Sequence, residues 1–325
     1  MFIAALSLVS CVGSPSVPIV SSGATSTYTR LQPLIRTGNR SDLNFVDPKA
    51  ISAQIYVSEY GTNGLKSYLD DYHAPNKNDK RWFCRIRSIR HSQNTAIEVD
   101  ASGELWVPQG PEITSYAPNC GQHGTTLSEP GGNANDIAFG AKGIRYVSNA
   151  PDTGGGNIAV YPAGATEPTR TLRNAAVSFS VGVGVDSHEN VYESFVNSSS
   201  NGGGVVEYRR GRMPGKLREN VTVTLPGPPL FDRSDNLIVT DSVSTTATVD
   251  IYAPPYNKPP VSFAARSLSY QCSLNYDEAN LACADYGYGS VDIYKYPSGT
   301  YLYSINRGLR GVPWFTLGVA QYPRG

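Results

Sequence analysis

The sequence predicts an all-β fold: a six-bladed β-propeller with four-stranded blades, closed by a C-terminal strand that completes the first blade. Three observations carry this expectation. An apolar residue followed three places on by Tyr recurs six times, as Leu65 with Tyr68, Ile113 with Tyr116, Ile158 with Tyr161, Val205 with Tyr208, Val249 with Tyr252 and Val291 with Tyr294. These Tyr positions step by 48, 45, 47, 44 and 42 residues, close to the spacing of about 40–45 residues that marks propeller blades. The composition agrees: charged residues make up 17%, while 32 Gly, 23 Pro and 21 Tyr supply turns and half-buried strands. No long Ala/Glu/Lys/Leu periodicity indicates a major helix.

Each unit then shows its other strands. Before each Tyr segment comes a β-branched or aromatic run, starting at Ile55, Leu105, Arg145, Val191, Leu237 and Leu281. Earlier still, in three units, lies a run that ends in a polar turn, at Asp100, Asp186 and Asp232. Asp, Ser, Gly and Asn suit a tight hairpin because they tolerate left-handed φ and bond their own backbone. A fourth run follows the Tyr, as at Arg170 to Leu172 or Tyr301 to Ile305. In a propeller each sheet packs between two others, so inner strands are apolar on both sides, as in Ile158-Ala159-Val160-Tyr161. The six Tyr are expected to bury their rings and leave the hydroxyl a partner at a blade edge.

The two ends of the array complement each other. Residues 44–48 make a poor inner strand, whereas residues 312–322 follow the sixth unit with no partner of their own. Trp314 and its neighbours are therefore expected beside the Ile55 strand, leaving no open edge between the first and last blades.

The chain divides into residues 1–11, residues 12–42 and one propeller domain over residues 43–325. Leu8-Val9-Ser10-Cys11 resembles the end of a bacterial lipoprotein signal, which implies lipidation of Cys11 and a place in the cell envelope. No Lys or Arg precedes the apolar run, so ordinary secretion and a chance apolar N-terminus remain open. Residues 12–42, rich in Ser, Thr, Pro and Gly, read as a flexible tether. With Cys11 set aside, four Cys remain. Cys272 and Cys283 flank a turn symmetrically and should face each other across a hairpin, with Cys84 and Cys120 as the second pair. Four free thiols in a cytoplasmic protein are the alternative.

The turn-and-strand pattern Val185-Asp186 to Asn190-Val191-Tyr192, and Phe231-Asp232 to Asn236-Leu237, resembles the NHL-repeat propellers. Segments such as Tyr146-Val147-Ser148 and Val160-Tyr161-Pro162-Ala163-Gly164 are similar to uncharacterised secreted bacterial members, over about residues 50–323. That resemblance implies a fold and leaves the activity open.

Lys plus Arg equals Asp plus Glu at 27 each, which excludes the strong positive field that nucleic-acid binding needs. Four residues past the start of the second strand stand Glu59, Gln109, Asn149, Asp241 and Asp285, with Phe195 in the remaining unit and Asn197 two places on. They sit at the mouth of the loop between second and third strands, where propellers carry a ligand funnel. They are the candidate ligand-binding residues for a carbohydrate, peptide or protein; the plain reading is that Asp and Asn start Asx turns. No catalytic residue, metal or cofactor is assigned, and the chain is expected to be monomeric, reaching a membrane only through a lipid anchor.

The rival class is a lactonase of the gluconolactonase type, whose channel-mouth cation is held by Glu, Asn and Asp, or a streptogramin lyase; Glu59, Asn135, Asp136 and Asp241 could approach such a cation site here, but no motif of the family aligns onto them. The four His fall at unrelated repeat positions, and no zinc spacing, Gly-x-Ser-x-Gly elbow or phosphate loop occurs. The basic stretch 77–90 reads as the outermost strand of the first blade, its charge deterring edge pairing, or else as a contact for anionic polysaccharide or lipid.

Overall fold

The computed structural model describes residues 54–61, 67–73, 84–89, 96–151, 154–197, 202–243, 246–309 and 314–322. The signal-like segment with Cys11, the tether and most of the basic stretch 77–90 lie outside them.

The described residues form six four-stranded antiparallel sheets. Blade 1 holds β1 (Gln54–Gly61), β2 (Ser67–His73) and β3 (Cys84–Ile89), with β24 (Trp314–Tyr322) innermost. Blade 2 holds β4 (Glu98–Val99), β5 (Leu105–Pro108), β6 (Glu112–Tyr116) and β7 (His123–Ser128). Blade 3 holds β8 (Ala134–Phe139), β9 (Arg145–Asn149), β10 (Asn157–Tyr161) and β11 (Arg170–Leu172). Blade 4 holds β12 (Phe179–Val185), β13 (Val191–Asn197), β14 (Gly202–Tyr208) and β15 (Lys216–Leu217). Blade 5 holds β16 (Leu230–Phe231), β17 (Leu237–Val243), β18 (Thr246–Tyr252) and β19 (Val261–Ala264). Blade 6 holds β20 (Ser269–Leu274), β21 (Asn280–Asp285), β22 (Ser290–Lys295) and β23 (Thr300–Ile305).

The head-to-tail join is the expected one. β24 runs antiparallel to β1, from Gln54 opposite Tyr322 to Gly61 opposite Trp314. Leu317, Val319 and Ala320 are buried there.

One repeat position needs correcting. In five blades the third-strand Tyr lies opposite the start of the second strand, for example Tyr252 opposite Leu237 and Tyr294 opposite Leu281. In blade 1 that place, opposite Ile55, belongs to Tyr72 and not to Tyr68, which pairs with Glu59. The two are four residues apart on one strand and so share a face; spacing alone could not choose between them. Tyr72 is fully buried and Tyr68 is not.

The Tyr hydroxyls find the partners that burial demands, and four of them hold the crossover leading into their own blade. Tyr72, Tyr161 and Tyr252 donate to the carbonyls of Arg307 (2.9 Å), Ser128 (2.7 Å) and Thr222 (3.4 Å). Tyr294 accepts the Arg266 N–H at 3.0 Å. Tyr208 turns instead to Glu193 Oε2, at 2.7 Å.

A second stitch runs between the turns that join first and second strands. The left-handed residues Glu189, Asp235 and Glu278 (φ 63°, 62° and 56°) each place a carboxylate against the preceding blade. They accept the backbone N–H of Ala141 (2.8 Å), Ser187 (2.9 Å) and Arg233 (2.8 Å). Asp186 and Asp232 close their own turns as the sequence predicts, accepting N–H groups two and four residues on.

Two disulfides are present. Cys272 and Cys283 face each other across β20 and β21 with Cα atoms 4.0 Å apart, and Cys84 joins Cys120 at 6.0 Å, tying blade 1 to blade 2.

Candidate functional site

The axis is built from inner-strand residues and from residues just past second strands, and it is filled. Phe179 and Val181 of blade 4, Tyr270 and Tyr286 of blade 6, Leu317 of blade 1 and Ala150 of blade 3 form one buried cluster. Blades 1 and 4 stand opposite each other in a ring of six, as do blades 3 and 6, so this one cluster spans the ring. Gln271, fully buried, bridges three successive blades: its Nε2 donates to the carbonyl of Ile97 at 3.1 Å and its Oε1 accepts the Val319 N–H at 2.7 Å.

The candidate ligand-binding positions fall around this plug in two groups. Glu59, Asn149 and Asp285 are buried inside the joints between blades. Glu59 accepts from Arg85 (2.9 Å), Asn149 donates to Glu129 Oε1 (3.1 Å), and Asp285 accepts the Tyr288 N–H (3.0 Å). Gln109, Asn197 and Asp241 are half-exposed on the rim. Asp241 caps the crossover into blade 5, accepting the N–H groups of Thr224 (2.9 Å) and Leu225 (2.8 Å).

Two carboxylate pairs sit at this level. In blade 1, Arg85 lies between Asp70 and Glu59 and also donates to the Gly308 carbonyl at 2.8 Å. Its side chain is 7% exposed, so this Arg of the outermost strand points inward and does not serve to repel another edge. In blade 6, Asp285 stands near Asp292, which pairs with Arg266 (3.4 Å). Burial, together with the charge of Asp292, raises the Asp285 pKa.

Among the residues considered for Ca²⁺, the carboxylates of Glu59, Asp136 and Asp241 do not come within 4.8 Å of one another as a group. Glu59 lies in blade 1, Asn135 and Asp136 in blade 3, and Asp241 in blade 5. Asn135 donates to the Ser180 carbonyl (2.6 Å) and Asp136 accepts the Val183 N–H (2.7 Å). Among the described residues, Asp71, Cys84 and Cys120 form the one group of three His, Cys, Asp or Glu ligand atoms within 4.8 Å, and its sulfurs are spent on the disulfide.

An open cleft of about 510 Å³ lies where blade 2 crosses to blade 3. Glu112, Glu129 and Glu167 line it together with Pro111 and Pro130. Glu129 is buried and accepts from Tyr161 (2.8 Å) and the Gly131 N–H (2.9 Å). Desolvation raises its pKa, the two donors act against the rise, and the charge of Glu167 adds to it. Sequence reasoning missed Glu129 and Gln271, which stand at no position shared by the units, and Glu193, which stands where four other units carry Val and one carries Cys.

No protein family matches the chain, and no curated protein matches it. Solved structures do. A chain from the crystal structure of a nidogen–laminin complex superposes with a TM-score of 0.66 at 14% identity, covering 84% of this chain and 100% of that one. A protein of unknown function from Bacteroides caccae gives 0.61 at 11% identity, covering 83% and 98%. Hydrazine synthase of Kuenenia stuttgartiensis gives 0.53 at 13% identity, with 70% of each chain covered. At such identities the likeness is one of fold. It defines a propeller and does not reach the NHL subfamily.

Proposed function

We propose that this is a non-enzymatic, extracytoplasmic propeller that binds a polypeptide partner across the face carrying the loops between second and third strands. The observation that carries the reading is the filled axis. One buried cluster there takes in side chains of opposite blades, and Glu59, Asn149 and Asp285 are buried, so of the six candidates those nearer solvent are the rim residues Gln109, Asn197 and Asp241. A broad polar face suits a macromolecule better than a small substrate, which calls for a concave pocket. The disulfides favour an oxidising compartment, and a similar fold occurs in a complex of two proteins. Attachment through Cys11 belongs to the same reading; an acyl adduct on Cys11 in the mass spectrum of the mature protein supports it, and a mature chain with unmodified Cys11 overturns it.

The test is photocrosslinking. A photoreactive residue is placed at Asn197 on the rim and, as control, at Val261 on the outer strand of blade 5, which is 69% exposed. Each protein is then irradiated with envelope material of the source organism. A discrete, protease-sensitive adduct from position 197 alone is expected. Adducts of equal yield from both positions, or protease-resistant ones, contradict the reading.

A further inference from the structure

The joint between blades 3 and 4 contains an electrostatic imbalance. Glu193 is 0% exposed, and among the described residues no ion pair involves it. Its Oε2 accepts the Tyr208 hydroxyl; its Oε1 has no hydrogen-bond partner. An isolated carboxylate in such surroundings either stays protonated or meets a cation, because an unpaired buried charge is prohibitively costly.

Three further oxygens without partners belong to the same joint: Ser148 Oγ, Ser180 Oγ and Asn135 Oδ1, all from residues 0% exposed. Their register brings them together. Val191 and Phe195 of β13 pack against blade 3, so Glu193 between them in the alternation points the same way. Tyr146 of β9 packs in that cluster too, and Ser148, two places on, shares its face. Ser180 lies opposite Phe195, and the Asn135 amide donates to the Ser180 carbonyl at 2.6 Å. A second carboxylate completes the set. Asp136, opposite Ser148, accepts the N–H of Val183, which is itself opposite Glu193.

We infer that the joint between blades 3 and 4 is a divalent-cation site, with Glu193, Ser148, Ser180 and Asn135 as its oxygen ligands. Carboxylate, hydroxyl and amide oxygens are hard donors of the kind Ca²⁺ takes, and two carboxylates at the joint match a double charge. The site is distinct from the rim and independent of any partner; its role is to lock two blades.

The experiment uses the full chain with TbCl3, read by tyrosine-sensitised terbium emission, for which Tyr208 at 2.7 Å from Glu193 is a ready antenna. Saturable emission that CaCl2 displaces is expected, weakened at least tenfold in Glu193→Gln and in Ser148→Ala. CaCl2 should raise the melting temperature of the parent protein and leave that of Glu193→Gln unchanged. Ser148→Ala, which removes one hydroxyl, keeps the test valid if Glu193→Gln fails to fold. Emission unaltered by the variants places the ion elsewhere and overturns the inference. So does the absence of saturable emission with a melting temperature indifferent to CaCl2, which leaves a protonated Glu193 in a hydroxyl or water network.

Discussion

Gln271 and Ile97 are 174 residues apart and belong to blades 6 and 2, which blade 1 separates, yet the Gln271 amide donates to the Ile97 carbonyl at 3.1 Å. The same side chain accepts the Val319 N–H at 2.7 Å. One fully buried amide thus ties together the inner strands on either side of the ring's join, and its loss leaves two buried backbone groups without partners. Gln271→Ala should cost about 2–4 kcal/mol, read as a shift in the urea midpoint. A change within about 0.5 kcal/mol, ordinary for surface substitutions, contradicts the role.

The join itself predicts a second loss. β24 gives blade 1 its innermost strand, and Leu317 enters the cluster that fills the axis. Leu317→Ala should destabilise by about 2–4 kcal/mol through the cavity it leaves. Deleting residues 314–325 should abolish cooperative thermal unfolding, and an unchanged melting curve contradicts closure by the tail.

The stitch between turns is testable at Asp235. Its carboxylate accepts the Ser187 N–H at 2.9 Å, and its φ of 62° is one that Asn tolerates and Ala does not. Asp235→Asn should be nearly neutral. Asp235→Ala should cost about 1–2 kcal/mol more, again by urea denaturation; equal costs remove the stitch from the account.

The blade 6 pair predicts a pH dependence. Burial first, and the Asp292 charge with it, lift the Asp285 pKa from 3.8 to about 7. The folded state therefore holds a proton that the unfolded chain releases. The associated stability is present below about pH 4 and lost as the pH rises through about 7. Between these limits the parent protein should lose roughly 1–3 kcal/mol more than Asp285→Asn. Parallel stability profiles for the two proteins contradict the assignment.

Much of this fold is legible in the sequence because a propeller repeats itself: the run at Leu237 and Tyr252 fifteen residues on specify two strands and their pairing. The join is legible for a related reason, since residues 312–322 form a strand without a unit. Contacts made once are not legible. Glu129 bonds Tyr161 across a blade boundary, and Gln271 reaches backbone groups of the next two blades; neither has a counterpart in the other units to flag it. The repeat position of Glu59, Asn149 and Asp285 was visible. Whether each side chain would face solvent or a blade joint was not, because that depends on the crossover packed against it. Arg85 shows the same limit, since its place on an outer strand gave no hint that Asp70 would draw it inward.

The proposed binding runs through the rim of a ring whose axis is filled. Arg placed at both Gln109 and Asn197 adds bulk and charge to that rim and leaves the buried cluster of Phe179, Tyr270 and Leu317 untouched. The direct measurement is the affinity of the double variant for the partner captured at position 197, alongside its melting temperature. At least a tenfold loss of affinity with the melting temperature preserved is expected; undiminished affinity in a folded double variant contradicts a role for the rim.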